Sequence, residues 1–299
     1  MKAIKLASVF AVTTVAAAVS TATFAADAVF KGTAGLEYKS YLDDASTKAD
    51  SAGTNGEVNI VGDTGVVYFK LDMEGSTVKS NGTPQDKNSN TALNLDAIYV
   101  KQGAVKFGDF DGSLVDAAAL SAGVREDNDD AKYDLGDDLG IRYAVNDSLT
   151  VAVEVAEGGN KGTLSASYKM DLAGGTLAVS GGYKSVKNVD NQILTVGFSA
   201  PLGMATLSTF IQAGSKADLD VMNTGVGLDL AVTEQVSLAA QYYTEGGESS
   251  KGVDKVDAGV MELTAYYQAG DIQYYASYIG YQGKNDVNNY SVVGAEVSF

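Results

Sequence analysis

Carboxylates are the most numerous side chains in this sequence that could do chemistry, and no histidine or cysteine accompanies them. Catalytic groups that use histidine as the base are therefore excluded, and so are zinc sites built on histidine or cysteine. No phosphate-binding glycine motif stands between a predicted strand and a helix. The sequence predicts a protein that is not an enzyme and that carries no cofactor.

The densest group of carboxylates lies in segment 111–138, where Arg125 and Lys132 are the basic residues. Residues 127–138 fail the EF-hand pattern, because Lys132 stands where that loop requires a turn glycine and Ala131 stands at a ligand position. Loose binding of divalent cations stays open. Carboxylates without a fixed metal act through the field they exert on charged solutes. The acids of the segment are Asp111, Asp116, Glu126, Asp127, Asp129, Asp130, Asp134, Asp137 and Asp138.

The first 25 residues have the composition of a secretory signal. Lys2 and Lys5 precede an apolar run at 6–19, and small residues lead up to Ala25. The run is shorter than the roughly 20 residues of a membrane-spanning helix. We expect cleavage after Ala25, which leaves 26–299 as one exported domain.

The charge and cysteine content restrict the partners and the sources of stability. The formal net charge is −17, and cleavage would remove two further lysines. Nucleic acid is therefore not an expected partner, because phosphate binding requires clustered lysine and arginine. Without cysteine, an exported chain has no disulfides and must be stabilised in another way.

Apolar and polar residues alternate with period two over stretches of about ten residues, as strands of a membrane barrel do. In 149–155, for example, leucine and valine occupy the odd positions. The fold class predicted is all-β, an antiparallel transmembrane barrel. Sixteen strands are expected to start near residues 29, 55, 65, 92, 104, 139, 148, 162, 176, 191, 204, 222, 235, 257, 271 and 289.

The predicted connections alternate in length, which is typical of barrels with tight turns at one end and longer loops at the other. A large soluble sandwich or solenoid is the alternative, since it also alternates apolar and polar positions. Short turns are expected at 62–65, 102–103, 146–147, 171–175, 200–203, 233–234 and 269–271. Longer polar stretches are expected at 40–54, 76–91, 111–138, 185–190, 214–221, 244–256 and 282–288, with 157–161 as a short exception.

Tyrosines concentrate near the predicted strand ends, in the pairs 242–243, 266–267 and 274–275 and at Tyr278 and Tyr281. Their amphipathic rings suit a membrane–water boundary, and tyrosine is also simply a good strand former. We interpret part of this set as girdles at that boundary.

Several segments resemble the general diffusion porins of Gram-negative outer membranes. They are the signal peptide, the first strand at 29–37, the segment Val105-Lys106-Phe107-Gly108-Asp109-Phe110-Asp111-Gly112, the segment Gly140-Ile141-Arg142-Tyr143, and the terminal Phe299. The resemblance implies a sixteen-stranded homotrimer whose third loop, here 111–138, folds into the lumen. It also implies an outer-membrane location among lipid and lipopolysaccharide. Phe299 would be the signal for the outer-membrane assembly machinery.

The resemblance implies a water-filled channel for ions and small hydrophilic solutes. The chain departs from the family in having only two arginines, Arg125 and Arg142, and in lacking the Pro-Glu-Phe-Gly-Gly segment of the loop. The field at the narrowest point is therefore harder to infer than the fold.

Candidates for the pore constriction are the charged residues that the alternation of the strands places on the inner face, together with acids at the start of the loop. A charge on the lipid face would cost about 2–4 kcal/mol for Arg or Lys at mid-membrane, so wall charges should point inward. Arg142 is the expected basic partner across the constriction, or else it holds the loop. The excess of acids predicts weak cation selectivity, although any one loop acid could instead face solvent. The candidates are Asp111, Asp116, Lys31, Lys70, Arg142, Asp72 and Asp96.

Two other functions stay open. A substrate-specific channel would carry an aromatic track, but the inward Tyr68, Tyr243, Tyr266 and Tyr275 lack a regular spacing. A structural or adhesive barrel would have a closed lumen. The small residues predicted to face inward argue for open space instead: Thr33, Ala152, Ser165, Ser180, Gly197, Gly225, Gly227, Ser237 and Ser277.

Overall fold

A computed structural model describes residues 29–42, 50–76, 92–125, 135–136, 139–155, 161–186, 189–216, 219–245, 258–282 and 289–299. The predicted signal peptide at 1–25 lies outside these residues. The same is true of seven of the nine acids of 111–138, namely Glu126, Asp127, Asp129, Asp130, Asp134, Asp137 and Asp138. Asp111 and Asp116 are described.

The described chain forms sixteen strands. They are β1 Val29–Tyr41, β2 Ser51–Asp63, β3 Val67–Ser76, β4 Ala92–Gln102, β5 Val105–Asp109, β6 Leu139–Ala144, β7 Leu149–Val155, β8 Lys161–Leu172, β9 Gly175–Val186, β10 Val189–Leu202, β11 Ala205–Lys216, β12 Leu219–Ala231, β13 Val236–Glu245, β14 Ala258–Ala269, β15 Ile272–Tyr281 and β16 Tyr290–Ser298. Each pairs antiparallel with its neighbours in sequence, and β1 pairs with β16 to close a barrel. The predicted fold class and strand number are confirmed.

Closure removes both sheet edges, so every strand has two hydrogen-bonded neighbours. Thr33 lies opposite Ser298 in the closing pair, and the backbones of Gly32 and Phe299 exchange hydrogen bonds of 2.8 and 2.9 Å. The ladder therefore supplies the stability that a chain without disulfides needs.

The barrel is polar inside and apolar outside, the reverse of a soluble domain. Side chains alternate between the two faces because the strand period is two. Buried polar residues of the inner face include Thr163, Ser165, Ser180, Thr195, Gln212, Asn223, Gln241, Glu262, Thr264 and Ser277. Exposed apolar residues of the outer face include Leu36, Leu95, Ile98, Leu139, Ile141, Val153, Leu164, Leu194, Met222, Leu238, Leu263 and Val293.

The tyrosine pairs are divided between the two faces. Tyr242, Tyr267 and Tyr274 are exposed on the outer face, whereas Tyr243 and Tyr275 are buried on the inner face. Only one member of each pair can therefore belong to an outer girdle. The inner members pack with Val260, Ile279, Tyr290 and Val292 in a cluster against the wall.

Two predicted connections are wrong in length. The stretches 185–190 and 214–221 were expected to be long, but β9 reaches Val186 and β10 starts at Val189, while β11 reaches Lys216 and β12 starts at Leu219. Pairing continues to Val189 opposite Val186 and to Lys216 opposite Leu219. Polar side chains in these stretches do not prevent the backbone from pairing with the next strand. The polarity of the sequence therefore did not show where these strands end.

Helix is nearly absent from the described residues, where one 3₁₀ turn covers Asp116–Ala118. Within the same residues, no helix has the length and apolar character needed to cross a membrane.

Candidate functional site

The connection between β5 and β6 enters the barrel and lies against its inner wall. Its two limbs meet at Ser113, whose hydroxyl donates to the Leu135 carbonyl at 2.7 Å and accepts from the Val115 backbone at 3.1 Å. Val115 and Leu135 are buried with Ile193 of β10 and Val221 of β12. The loop is thus anchored to the wall by apolar contact as well as by hydrogen bonds.

Small residues of β9, β10 and β12 form the seat of this loop. The Ser180 hydroxyl donates to the Val115 carbonyl at 2.5 Å. A Cβ at Gly197 would lie 1.9 Å from the Ala118 carbonyl oxygen, and one at Gly227 would lie 2.7 Å from the Ala122 Cβ. The expectation that Ser180, Gly197 and Gly227 face open space is therefore wrong, because the loop occupies the space next to them.

Polar side chains of β12 to β14 hold the loop beyond its 3₁₀ turn. The Ala122 N–H donates to the Gln241 side-chain oxygen at 2.9 Å, and the Gly123 N–H donates to the Asp229 carboxylate at 2.8 Å. The Tyr266 hydroxyl donates to the Gly123 carbonyl at 2.9 Å. Backbone groups that could not reach another strand are satisfied in this way by the wall.

Arg125 ends the described part of this limb at the strands that close the barrel. Its Nη2 lies 3.2 Å from Glu296 Oε2 and 3.9 Å from Glu37 Oε2. It also donates to the Tyr275 hydroxyl at 3.3 Å, and that hydroxyl donates to Glu37 at 3.1 Å. The guanidinium lies 4.4 Å from the centre of the Tyr275 ring, within cation–π range.

The charge of Arg125 is permanent in this position. Burial favours its neutral form, but the Tyr275 hydroxyl and the Glu296 and Glu37 carboxylates raise the pKa of Arg125 above its ordinary value. Arg125, Tyr275, Glu37 and Glu296 were not predicted as site residues. The available signal was one arginine among nine carboxylates and one lysine, and the sequence does not show which strands a loop arginine contacts.

Near β3 and β4, a few strands from the seam that closes the barrel, three predicted site residues meet. Lys70 Nζ lies 2.7 Å from Asp96 Oδ2 and 2.9 Å from Asp111 Oδ2. A β-bulge makes this contact possible: Lys70 pairs with Ala97 and Leu71 with Leu95, so Asp96 is the extra residue and turns toward the lumen. Lys70, Asp96 and Asp111 thus form one charged group beside the start of the loop.

Of the other acidic and lysine candidates, Asp72 lies next to this group, whereas the contacts of Lys31 and Asp116 are elsewhere. Asp72 is buried on β3, two residues from Lys70 on the same face. Lys31 is exposed on β1, opposite Asn59 of β2. Asp116 begins the 3₁₀ turn, where its carbonyl accepts from the Ala119 N–H at 2.8 Å.

Arg142 contacts the start of the loop. Its guanidinium bonds Glu154 at 2.9 and 3.0 Å, donates to the Gly112 carbonyl at 2.6 Å, and lies 4.3 Å from the centre of the Phe110 ring. Glu154 is almost fully buried. These contacts are the ones expected of a residue that holds the loop, the alternative given for Arg142 above.

Inward aromatic residues stack beside Arg142. Tyr68 and Tyr99 stack with ring centres 4.7 Å apart, and Phe110 lies 5.3 Å from Tyr99. Phe110 is buried. The rings cover one another's faces, so they do not form the exposed aromatic track that a substrate-specific channel would need.

Phe299, the predicted assembly signal, lies at the seam of the barrel. It is exposed, and its ring approaches Gly32 so closely that a Cβ there would lie 2.8 Å from the ring. The assembly role of Phe299 stays a prediction.

Solved structures similar to this one are found at low sequence identity. No model of a protein family matches the chain, and no curated protein matches it. OmpT, an outer membrane protein of Vibrio cholerae solved in a trimer form, is 13% identical, with 92% of this chain and 100% of that chain covered and a TM-score of 0.63. OmpF of Salmonella typhi in complex with daunomycin is 12% identical, with 91% and 97% covered and a TM-score of 0.66.

A third similar structure is a triple mutant of the Rhodopseudomonas blastica porin. It is 14% identical, with 91% of this chain and 100% of that chain covered and a TM-score of 0.59. At such low identity these similarities establish a porin-like barrel fold. They carry no information about individual site residues.

Proposed function

We propose that this protein is an outer-membrane porin of a Gram-negative bacterium, a water-filled channel for passive diffusion of ions and small hydrophilic solutes. It performs no bond chemistry and requires no cofactor. Its function depends on the radius left beside the loop and on the field of the charges there.

One observation carries this proposal: the closed barrel exposes apolar side chains around its outside and buries polar ones within. In water such an outer face would be a large exposed apolar surface, which is unfavourable, whereas in lipid it is the stable arrangement. A closed ladder also leaves no backbone group unpaired at the lipid boundary. Membrane insertion follows from these two requirements.

Loop 111–138 supports a narrowed lumen. Residues 113–125 contact the inner wall between β9 and β15 and also Glu296 of β16 and Glu37 of β1, so we place the remaining passage beside β2 to β6. Lys70, Asp96, Asp111 and Asp72 line that side. We expect weak selectivity for cations, because acids outnumber bases there.

The assembly proposed is a homotrimer in a bilayer that contains lipopolysaccharide. The trimer form of the OmpT structure, which shares the fold, supports this stoichiometry. The chain would be exported by the signal at 1–25 and inserted by the outer-membrane assembly machinery, with Phe299 as the signal that the machinery reads.

Liposome swelling tests the channel directly. Vesicles that contain the refolded protein should swell in isotonic sugar solutions at rates that fall as the sugar becomes larger, because a water-filled passage sorts neutral solutes by size. Vesicles with folded barrels that do not swell in any sugar would favour a structural or adhesive barrel with a closed lumen. Rapid swelling with one sugar alone would favour a substrate-specific channel.

A further inference from the structure

Several buried polar atoms of the inner wall have no hydrogen-bond partner among the described residues, and two of them are neighbouring oxygens. They are Oδ1 of Asn59 on β2 and Oδ1 of Asp72 on β3. The two residues lie directly opposite each other in the antiparallel pair, so their side chains project side by side. Buried polar atoms in folded proteins nearly always have a partner, and an unpaired carboxylate oxygen is costly.

The neighbours of these oxygens add negative charge. Asn59 donates from its amide nitrogen to the Glu57 carboxylate, and its amide oxygen has no donor in the described part of the chain. Glu57 and Asp96 lie close enough to Asp72 to repel its carboxylate. Lys70 attracts the Asp72 carboxylate, the Met73 N–H donates to it, and Lys31 lies opposite Asn59. The short contacts of Lys70, however, are with Asp96 and Asp111, and Oδ1 of Asp72 has no donor among the described residues. The missing partner of Asp72 is therefore positively charged or a donor.

Asp72 is set into the wall, with 7% of its surface exposed. A buried carboxylate with an amide oxygen beside it and a second carboxylate two residues away presents only oxygen ligands. Oxygen ligands of this kind are selected by hard cations such as Ca²⁺ and Mg²⁺.

We propose that Glu57, Asn59 and Asp72 form a lumenal site for a partly hydrated divalent cation. The proposal rests on the proposed function, because the ion reaches the wall through an open lumen. No group of three or more acidic, histidine or cysteine residues among the described ones has the arrangement of a metal site. Two carboxylates and one amide leave water to complete the ligand shell, so the ion binds weakly and exchanges with the solution.

Occupation of the site has a consequence for conduction. A divalent ion held on the wall neutralises the acids that attract potassium and occupies part of the narrowed passage. Calcium should therefore reduce the potassium current through the open channel in a saturable way. A bound water is the other partner that could satisfy the two oxygens, and it would leave the current independent of calcium.

The test measures single-channel conductance in KCl while CaCl₂ is added. Wild-type conductance should fall to a plateau. In Asp72→Asn the calcium concentration for half of the effect should rise about tenfold or more, since even residues that only orient metal ligands change affinity by about 10–100-fold. Asn59→Asp should lower that concentration. The matched control, Asp147→Asn, removes a carboxylate from an exposed turn and should match the wild type.

If calcium reduces the conductance of the wild type and of Asp72→Asn equally, the proposed cation site is refuted. The porin proposal would still stand, because both proteins conduct. Barrels that fold but never conduct would instead refute the porin proposal. In that case calorimetric titration of CaCl₂ into the folded barrel decides the site alone. A binding heat that Asp72→Asn abolishes supports it, and equal heats in the two proteins overturn it.

Discussion

Charged side chains inside this barrel form separate groups, around Lys70, Arg125 and Arg142, and only some of their members could be predicted from the sequence. Strand parity predicted that Lys70, Asp72 and Asp96 share the inner face, and in the structure Lys70 and Asp96 form an ion pair. Parity could not reveal the bulge that turns Asp96 toward Lys70. Arg125 was beyond reach, because the path of a loop depends on the wall that receives it.

The Arg125 group should control both the position of the loop and the charge of the lumen. Breaking a fully buried ion pair costs about 3–5 kcal/mol, and partial exposure here lowers the expected loss to about 1–2 kcal/mol. We predict that Arg125→Gln increases the preference for potassium over chloride, because Glu37 and Glu296 lose their cation. We also predict noisier openings, because residues 113–125 lose the contacts that Arg125 makes with β1, β15 and β16.

Reversal potentials and current noise measure these two effects separately. Arg125→Lys is the matched control, since it keeps the charge but loses the planar fork of donors. It should restore the selectivity more fully than the noise. An Arg125→Gln channel with wild-type selectivity and noise would mean that Arg125 does not face the conducting path.

Strands were the elements most accessible to sequence analysis. Alternation along 149–155 and the other stretches located every strand to within a few residues, because one face must be apolar and the other polar. Connections were less accessible: the stretches at 185–190 and 214–221 looked like loops, but their polar residues continue the ladder. Polar residues indicate contact with solvent, but a hydrogen-bonded strand can also be in contact with solvent. Polarity therefore does not distinguish a loop from the end of a strand.

The small residues of β9, β10 and β12 are a second case in which the sequence pattern fits two different structures. Glycine and serine at inward positions are compatible with an open lumen or with a packed loop, and the structure has the loop. The sequence carried no information on which of the two fills the space, since both require the absence of a large side chain.

A substitution at Gly197 tests whether the loop is held against β9, β10 and β12. We predict that Gly197→Ala displaces the loop and raises single-channel conductance, because the new methyl group would overlap the Ala118 carbonyl. Overpacking of this kind costs about 1–3 kcal/mol, which a sixteen-stranded barrel should tolerate.

Gly162→Ala is the matched control, because a Cβ there would lie 3.9 Å from its nearest neighbour, an ordinary contact. It should conduct like the wild type. Equal conductance in Gly197→Ala and the wild type, with both folded, would show that the loop does not limit the current.

At the scale of the whole molecule, β1 and β16 have to meet for the barrel to close. Phe299 pairs with Gly32 at this seam, and its ring lies over the glycine. The terminal residue therefore takes part in the pairing that closes the barrel, and the proposed recognition role would use the same residue.

We predict that Phe299→Ser lowers the amount of folded barrel in the outer membrane of an expressing cell while refolding in detergent is largely retained. The reason is that the exposed ring serves recognition more than packing. Ser298→Ala, a neighbouring change that keeps the ring, should assemble normally. The measurement is the fraction of heat-modifiable, folded protein in the outer-membrane fraction. Equal assembly of Phe299→Ser and the wild type would refute the role of the terminal aromatic.

The most direct test of the central claim is the conductance of the refolded protein in a planar bilayer, with the reversal potential recorded in a KCl gradient. The account predicts stepwise ohmic openings, steps in threes if the trimer inserts as a unit, and a reversal potential that favours potassium. A preference for chloride would contradict the selectivity and leave the barrel intact. Demonstrably folded barrels that never conduct would contradict the channel itself.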